Sequence, residues 1–155
     1  MLIALFAACG GDDPPPVEQP VCHPLSGPTC AMPWPSSAWL RTDATTATGF
    51  RIDVATETLP VNIDGIAIDP SPLLRWDGFS PTGPILVRFE GGVSADGLPS
   101  WRDPDESLAA DAPIVLFDVT AGERVPFFAE VDMNVTEAAE RALIVRPLVR
   151  LTGGH

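Results

Sequence analysis

Proline and glycine constrain this chain more than any other feature: 18 prolines and 13 glycines stand among its 155 residues, a fifth of the total against a usual share of roughly 12%. An interior proline removes a helical hydrogen bond and clashes with the preceding turn, so long helices are excluded. The length suits one domain with a useful core. With 45% apolar and 19% charged residues that core can form, and the net charge of −12 does not imply wholesale disorder. All nine basic residues are arginines, and they are scattered. Nucleic-acid binding is disfavoured, because phosphate contacts need a positive footprint.

Between the breakers lie short runs with strand character. Residues 50–54 alternate apolar and polar, as do residues 85–89, where Ile85, Val87 and Phe89 share one side. That alternation predicts strands with one buried face. The continuous apolar run 114–119, bounded by Pro113 and Ala121-Gly122, predicts a central strand buried on both faces. Residues 125–131 predict a further strand with the Pro126 end at an edge, joined to the preceding one by a hairpin loop at Thr120–Glu123. Residues 142–146 predict a fifth strand, stopped by Pro147. Asp69-Pro70 ahead of Leu73-Leu74 predicts a short helix, because Asp caps and Pro suits the first helical position; a second turn is expected over 105–109. The fold class that follows is mainly β, an antiparallel β-sandwich with one or two short helices.

Residues 1–8 form an apolar run followed by Cys9-Gly10-Gly11-Asp12-Asp13. Eight residues are too few to span a bilayer, which takes about 20, but they suit the end of a signal peptide with small residues before its cleavage point. Phe6-Ala7-Ala8-Cys9 resembles the lipobox of bacterial lipoproteins, in which the cysteine thiol receives a diacylglycerol. Phe6 stands where that motif usually has Leu, and no basic residue precedes it, which implies a true start upstream. The resemblance implies lipidation at Cys9 and an exported protein held on the cell envelope, at the outer membrane or cell surface, by acyl chains whose buried methylenes each contribute about 0.8 kcal/mol. The competing reading is a buried free cysteine, which Gly-Gly-Asp-Asp continues poorly. Residues 9–21, with Pro14-Pro15-Pro16 and Pro20, read as a tether of extended polyproline character, and residues 22–155 as the β domain.

Cys22 and Cys30 then remain as an even pair, seven turn-rich residues apart. In an exporting compartment a disulfide is favoured. Metal binding competes, but two thiols and His23 fall short of the four ligands of a structural zinc site. The bridge would fasten the tether to the domain.

The segment Met32-Pro33-Trp34-Pro35-Ser36-Ser37-Ala38-Trp39-Leu40 resembles the Pro-Phe-Pro-Ser-Asp opening of the N-terminal Ig-like domain of bacterial secreted lipases of the virulence-factor type and of related surface lipoproteins. Asp77-Gly78-Phe79-Ser80, Pro84 to Phe89, Ser107 to Asp118 and Leu143 to Pro147 are similar to segments that follow in the same order there. The resemblance spans about residues 31–155. It implies an Ig-like sandwich preceding a hydrolase domain, and it implies no catalytic residue, because that family's nucleophile lies in the following domain. Its modules continue into an aromatic-rich last strand where this chain has Leu151-Thr152-Gly153-Gly154-His155, which implies a sandwich lacking that strand, with unpaired backbone at its edge.

Chemistry is scarce. There is no Gly-x-Ser-x-Gly elbow; His23 falls in the short cysteine loop and His155 at the last position, so neither suits a general base. Asp103, Asp105, Glu106 and Asp111 could gather around calcium, but they lack the Asp-x-Asp-x-Asp-Gly pattern and suit a solvated acidic loop better. Trp34, Trp39, Trp76 and Trp101 could form a sugar-stacking platform, or bury their rings. Asn134-Val135-Thr136 matches a glycosylation acceptor, incidentally in a bacterial lipoprotein. No metal or cofactor is expected. Two functions remain: the anchored, non-catalytic module ahead of a lipase- or esterase-type hydrolase in the same chain, or an Ig-like surface lipoprotein serving adhesion, envelope structure or binding of a glycan or protein.

Overall fold

The computed structural model describes residues 21–26 and 29–153; residues 1–20, including Cys9 and the tether, lie outside them, as does His155. Among the described residues seven short strands form three small antiparallel sheets: β1 (Leu40–Thr42) with β2 (Phe50–Ile52), β3 (Ile85–Val87) with β7 (Leu143–Pro147) and β6 (Phe127–Val131), and β4 (Phe117–Asp118) with β5 (Glu123–Arg124). The protein is a β fold. The two expected helices are single 3₁₀ turns, at Leu73–Arg75 and Pro104–Leu108, and among the described residues no helix is long and apolar enough to cross a membrane. Prolines at 70, 72, 104 and 113 leave each turn too little uninterrupted backbone to propagate.

The main sheet runs in the order β3-β7-β6, with Val145 between Ile85 and Ala129 and Leu143 between Val87 and Val131. Those six positions share one face, as the period of two requires. Phe127, Ala129, Leu143 and Val145 are buried there, and Val93, Leu98, Ile114 and Leu116 pack on them. On the other face Arg146 meets Glu130 at 2.7 Å. A second cluster gathers Trp39, Ile52 and Val54, with Trp34, Leu59, Leu73, Leu74 and Phe79 against it.

Both outer edges of the main sheet are closed by backbone that is not itself strand. Trp34 exchanges both hydrogen bonds with Leu86 of β3, at 2.9 and 2.6 Å, and its ring meets Phe79 edge-on at 5.0 Å. It thereby ties the sheet to the second cluster. Along β6, Ala129 donates its N–H to the Pro99 carbonyl, and Phe127 donates to Ser107 Oγ at 3.2 Å. Ser107 is buried, and its hydroxyl in turn donates to the Pro104 carbonyl at 2.7 Å.

Run 114–119 corrects the expectation of a doubly buried strand. Ile114, Leu116 and Asp118 are half-buried while Val115, Phe117 and Val119 are exposed. Only Phe117 and Asp118 join the ladder with Arg124 and Glu123. The run is apolar on both sides but has a neighbour on one, so an unbroken hydrophobic stretch misread a half-covered strand. The chain does turn at the expected loop, with Gly122 at φ 73° where a left-handed residue is needed, but the turn pairs Phe117–Asp118 with Glu123–Arg124, and the strand expected over 125–131 joins β7 in the main sheet instead. A further hairpin, closed by the Val61–Ala67 bridge, carries the Asn62-Ile63-Asp64-Gly65 turn, a signal of Asp-Gly between apolar residues that the strand pattern passed over.

Replacing Ser107 by Ala strands the Phe127 N–H in the core. Urea unfolding of Ser107→Ala is expected to show a loss of about 1–3 kcal/mol, with faster amide exchange at Phe127.

Candidate functional site

Cys22 and Cys30 are joined by a disulfide, with Cα atoms 4.4 Å apart. His23 lies inside this loop and donates its backbone N–H to the Cys30 carbonyl at 2.9 Å. Its buried ring meets the fully buried Trp39 edge-on at 5.7 Å, while Trp39 donates its indole N–H to the Ala31 carbonyl at 3.2 Å. Thr58, also buried, donates its hydroxyl to the Val21 carbonyl. Arg88 reaches the loop from β3's C-terminal side, donating to Thr29 Oγ1 at 2.8 Å and pairing loosely with Glu140. The cysteine loop is thus clamped to the second cluster at the point where the N-terminal chain joins it.

This clamp contains a histidine and a serine in contact: His23 Nε2 lies 2.7 Å from Ser36 Oγ. The pair is thirteen residues apart in sequence, and the chain pattern gave no sign of it. Its polarity is wrong for nucleophilic catalysis. Nδ1 accepts the Leu25 backbone N–H at 3.0 Å, so the ring proton resides on Nε2 and is donated to Ser36. A base for serine needs a free lone pair on the nitrogen facing the hydroxyl, with the other nitrogen donating to a carboxylate. Ser36 Oγ also accepts the Ala38 N–H and caps the Ser37–Trp39 turn. The contact is a structural fastening.

The other candidates are dispersed. Trp39 is core and Trp34 is half-buried on Phe79, whereas Trp76 and Trp101 are exposed, the latter with the Arg102 guanidinium 5.1 Å over its ring. Trp76 follows the Leu73–Arg75 turn and Trp101 precedes the turn that covers β6. The four rings form no common platform, because Trp39 and Trp34 are spent on packing. No group of three or more His, Cys, Asp or Glu among the described residues could hold a metal, and Asp103, Asp105, Glu106 and Asp111 are in no such group.

The main sheet carries an apolar recess of about 470 Å³, lined by Ile85, Val87, Val93, Ile114 and Leu143, with Ser94 and Asp96 as its polar members. Its size is within the range of small-molecule pockets, roughly 300–1,000 Å³. It holds no acid–base pair, and what it offers is apolar contact. No family model, curated protein or solved structure matches this chain.

The strongest electrostatic feature is at the β1–β2 hairpin. Arg41 and Arg51 face each other across the ladder, and Asp43 bonds Arg51 Nε at 2.6 Å, with Arg41 3.9 Å from both Asp43 and Asp53. The Arg51 hydrogen bond, followed by those from the Thr45 hydroxyl and backbone N–H, holds the Asp43 carboxyl well below the usual carboxylate range. Ser71 likewise lowers Asp69 through its hydroxyl and N–H.

Two outcomes follow from this geometry. A folded-state pKa below the unfolded value of about 3.9 stabilises fully above that value and is lost as pH falls through the lower one. The stability gap between wild type and Asp43→Asn, measured by urea unfolding, is therefore expected to close progressively below about pH 5. Peptide mapping without reductant is expected to recover Cys22 linked to Cys30, and Cys22→Ser/Cys30→Ser to cost about 2–3 kcal/mol, the unfolded-chain entropy of so short a loop.

Proposed function

We propose that this chain is the exported, lipid-anchored N-terminal part of a bacterial envelope lipoprotein, and that its β domain is a non-catalytic Ig-like module standing ahead of a lipase- or esterase-type hydrolase. The observation that carries the reading is the clamp. A disulfide closes the first nine residues after the proline-rich segment, and His23, Thr58 and Arg88 fasten that loop to the domain. A chain pulled from its N-terminus needs such a fastening, and a disulfide of this kind belongs to an oxidising compartment. Phe6-Ala7-Ala8-Cys9 supplies the acyl site, and the Pro-rich stretch to Pro20 the spacer.

The order of segments from Met32 to Pro147 supports the Ig-like assignment, and the antiparallel sheets agree with its β character. In this reading the module's work is mechanical. It holds the following domain at a set distance from the lipid surface, while its net negative charge keeps it soluble and away from anionic headgroups. His23 and Ser36 serve the clamp and take no part in hydrolysis.

In cells producing the chain behind a complete signal peptide, the wild type is expected in the membrane fraction and Cys9→Ser in the soluble fraction. Equal partitioning of the two overturns the anchor. Genomic sequence downstream is expected to encode a Gly-x-Ser-x-Gly elbow with a later Asp and His; repeated β modules without that elbow would make the protein a binding or structural lipoprotein instead.

A further inference from the structure

The recess over the β3-β7-β6 sheet exists because its cover is incomplete. Val93 and Leu98 from the loop after β3, and Ile114 and Leu116 from the run before β4, pack on the sheet face, while Phe89 and Val115 at the same recess stay exposed. Ile85, Val87 and Leu143 supply its strand-borne wall, and the space left is about 470 Å³. Apolar side chains line all of it except at Ser94 and Asp96, and the Ser94 hydroxyl is spent on the Asp96 backbone N–H at 3.0 Å. The lining contains no Arg, Lys or His. Such a surface binds hydrocarbon and provides no counter-ion for a carboxylate or a phosphate.

The length of the N-terminal chain and the place where it joins the domain identify the occupant. Arg88 stands between the lining residues Val87 and Phe89 and donates to Thr29 Oγ1 at 2.8 Å. Thr29 precedes Cys30, whose disulfide partner Cys22 follows Val21. The N-terminal junction and the recess are thus separated by one arginine side chain and one disulfide. Arg88 points to the opposite face from Val87 and Phe89, as the period of two requires, so a chain leaving Val21 must round β3, the outer strand of its sheet. Crossing from one face to the other takes about 10 Å, the thickness of a packed layer. Eleven residues lie between Cys9 and Val21, and at roughly 3.1 Å each they extend to about 35 Å. A group carried on the Cys9 thiol therefore has the reach to enter the recess, and a linker of this length gives it a local concentration at which even a weak site fills.

We propose that this recess is the seat of one acyl chain carried by Cys9 of the same polypeptide, held as a neutral linear hydrocarbon against Ile85, Val87 and Leu143. This rests on the lipid-anchor reading for its biological setting. The lipoprotein then has two states: one with an acyl chain drawn back against its own domain in water, and one with that chain released into a bilayer. A membrane shifts the population toward the second, because it binds only the released chain. The recess takes one chain, so the anchor is shielded in part.

The test uses the full chain in its oxidised form. Of its three cysteines, Cys22 and Cys30 are bonded to each other, so Cys9 alone reacts with N-hexadecyl iodoacetamide, a thioether forming as iodide leaves. Methyl NMR is expected to show Ile85, Val87, Ile114 and Leu143 shifted relative to the same chain treated with plain iodoacetamide, and shifted equally at every protein concentration. Val87→Phe, which fills the recess, is expected to abolish the shifts and keep the thermal midpoint; Ile114→Trp fills it from the other wall and replaces that variant if it does not fold. In a second arm the Cys9→Ser chain is titrated with 1-dodecanol, which is expected to shift the same methyls, with 1-decanol about tenfold weaker for its two fewer methylenes and dodecanoate weaker than dodecanol. Absence of shifts in both arms, shifts that survive filling of the recess, or shifts that vanish on dilution of the hexadecyl protein overturn the proposal. So do shifts with dodecanol but not with the hexadecyl group, which would make the recess a site for a free aliphatic ligand, and tighter binding of dodecanoate, which would make that ligand a fatty acid. The hexadecyl group is installed chemically, so these outcomes are independent of whether cells acylate Cys9, which the membrane fractionation of Cys9→Ser decides.

Discussion

Closing the edges of the β3-β7-β6 sheet is the constraint on which the rest of the structure depends. A strand edge leaves N–H and C=O groups unpaired, and buried groups of that kind each cost about 1–3 kcal/mol. This chain is too rich in proline to meet that demand with more strands. It meets it with irregular backbone: Trp34 on β3, and Pro99 with Ser107 on β6. Pro99 suits its place because a residue that only has to accept needs no N–H. Ser107 suits its own because one hydroxyl can accept from Phe127 and donate to Pro104 at once.

Those edge covers also join the parts. Trp34 lies between Pro33 and Pro35, and the peptide bonds preceding both prolines are cis. Its backbone belongs to the sheet and its ring to the second cluster. The same stretch supplies Ser36 to His23 and Trp39 to the core, so the cysteine loop, the β1–β2 hairpin and the main sheet share one nine-residue segment. Gly92, beyond the C-terminal end of β3, marks a similar dependence. A Cβ there would come within 2.9 Å of the Ala138 carbonyl, and φ is 77°, so the turn at Ala138–Glu140 docks only on a glycine.

Such economy bears on function. Several polar side chains hold loops in place: His23 and Ser36 the clamp, Asp43 the two arginines of the β1–β2 hairpin, Arg88 the cysteine loop. Apolar surface is exposed in the recess over the sheet and on the Val61–Ile68 hairpin.

The sequence alone determined the β character, four of the seven strands, the hairpin loop before Glu123 and the cysteine pair. Each is a local property: period-two alternation, a breaker at a boundary, or two thiols across a short turn-rich loop. It did not show β1, because Leu40-Arg41-Thr42 is too short to display a period and exists only by pairing with Phe50–Ile52. It misassigned run 114–119, because an unbroken apolar stretch reads the same whether one face is covered or two. Only the tertiary structure decided that His23 meets Ser36, that Trp39 is core while Trp76 and Trp101 are exposed, and that Ser107 closes an edge. Those facts depend on which distant segments share a surface, and in a chain held by turns and short bridges no repeating pattern records that choice.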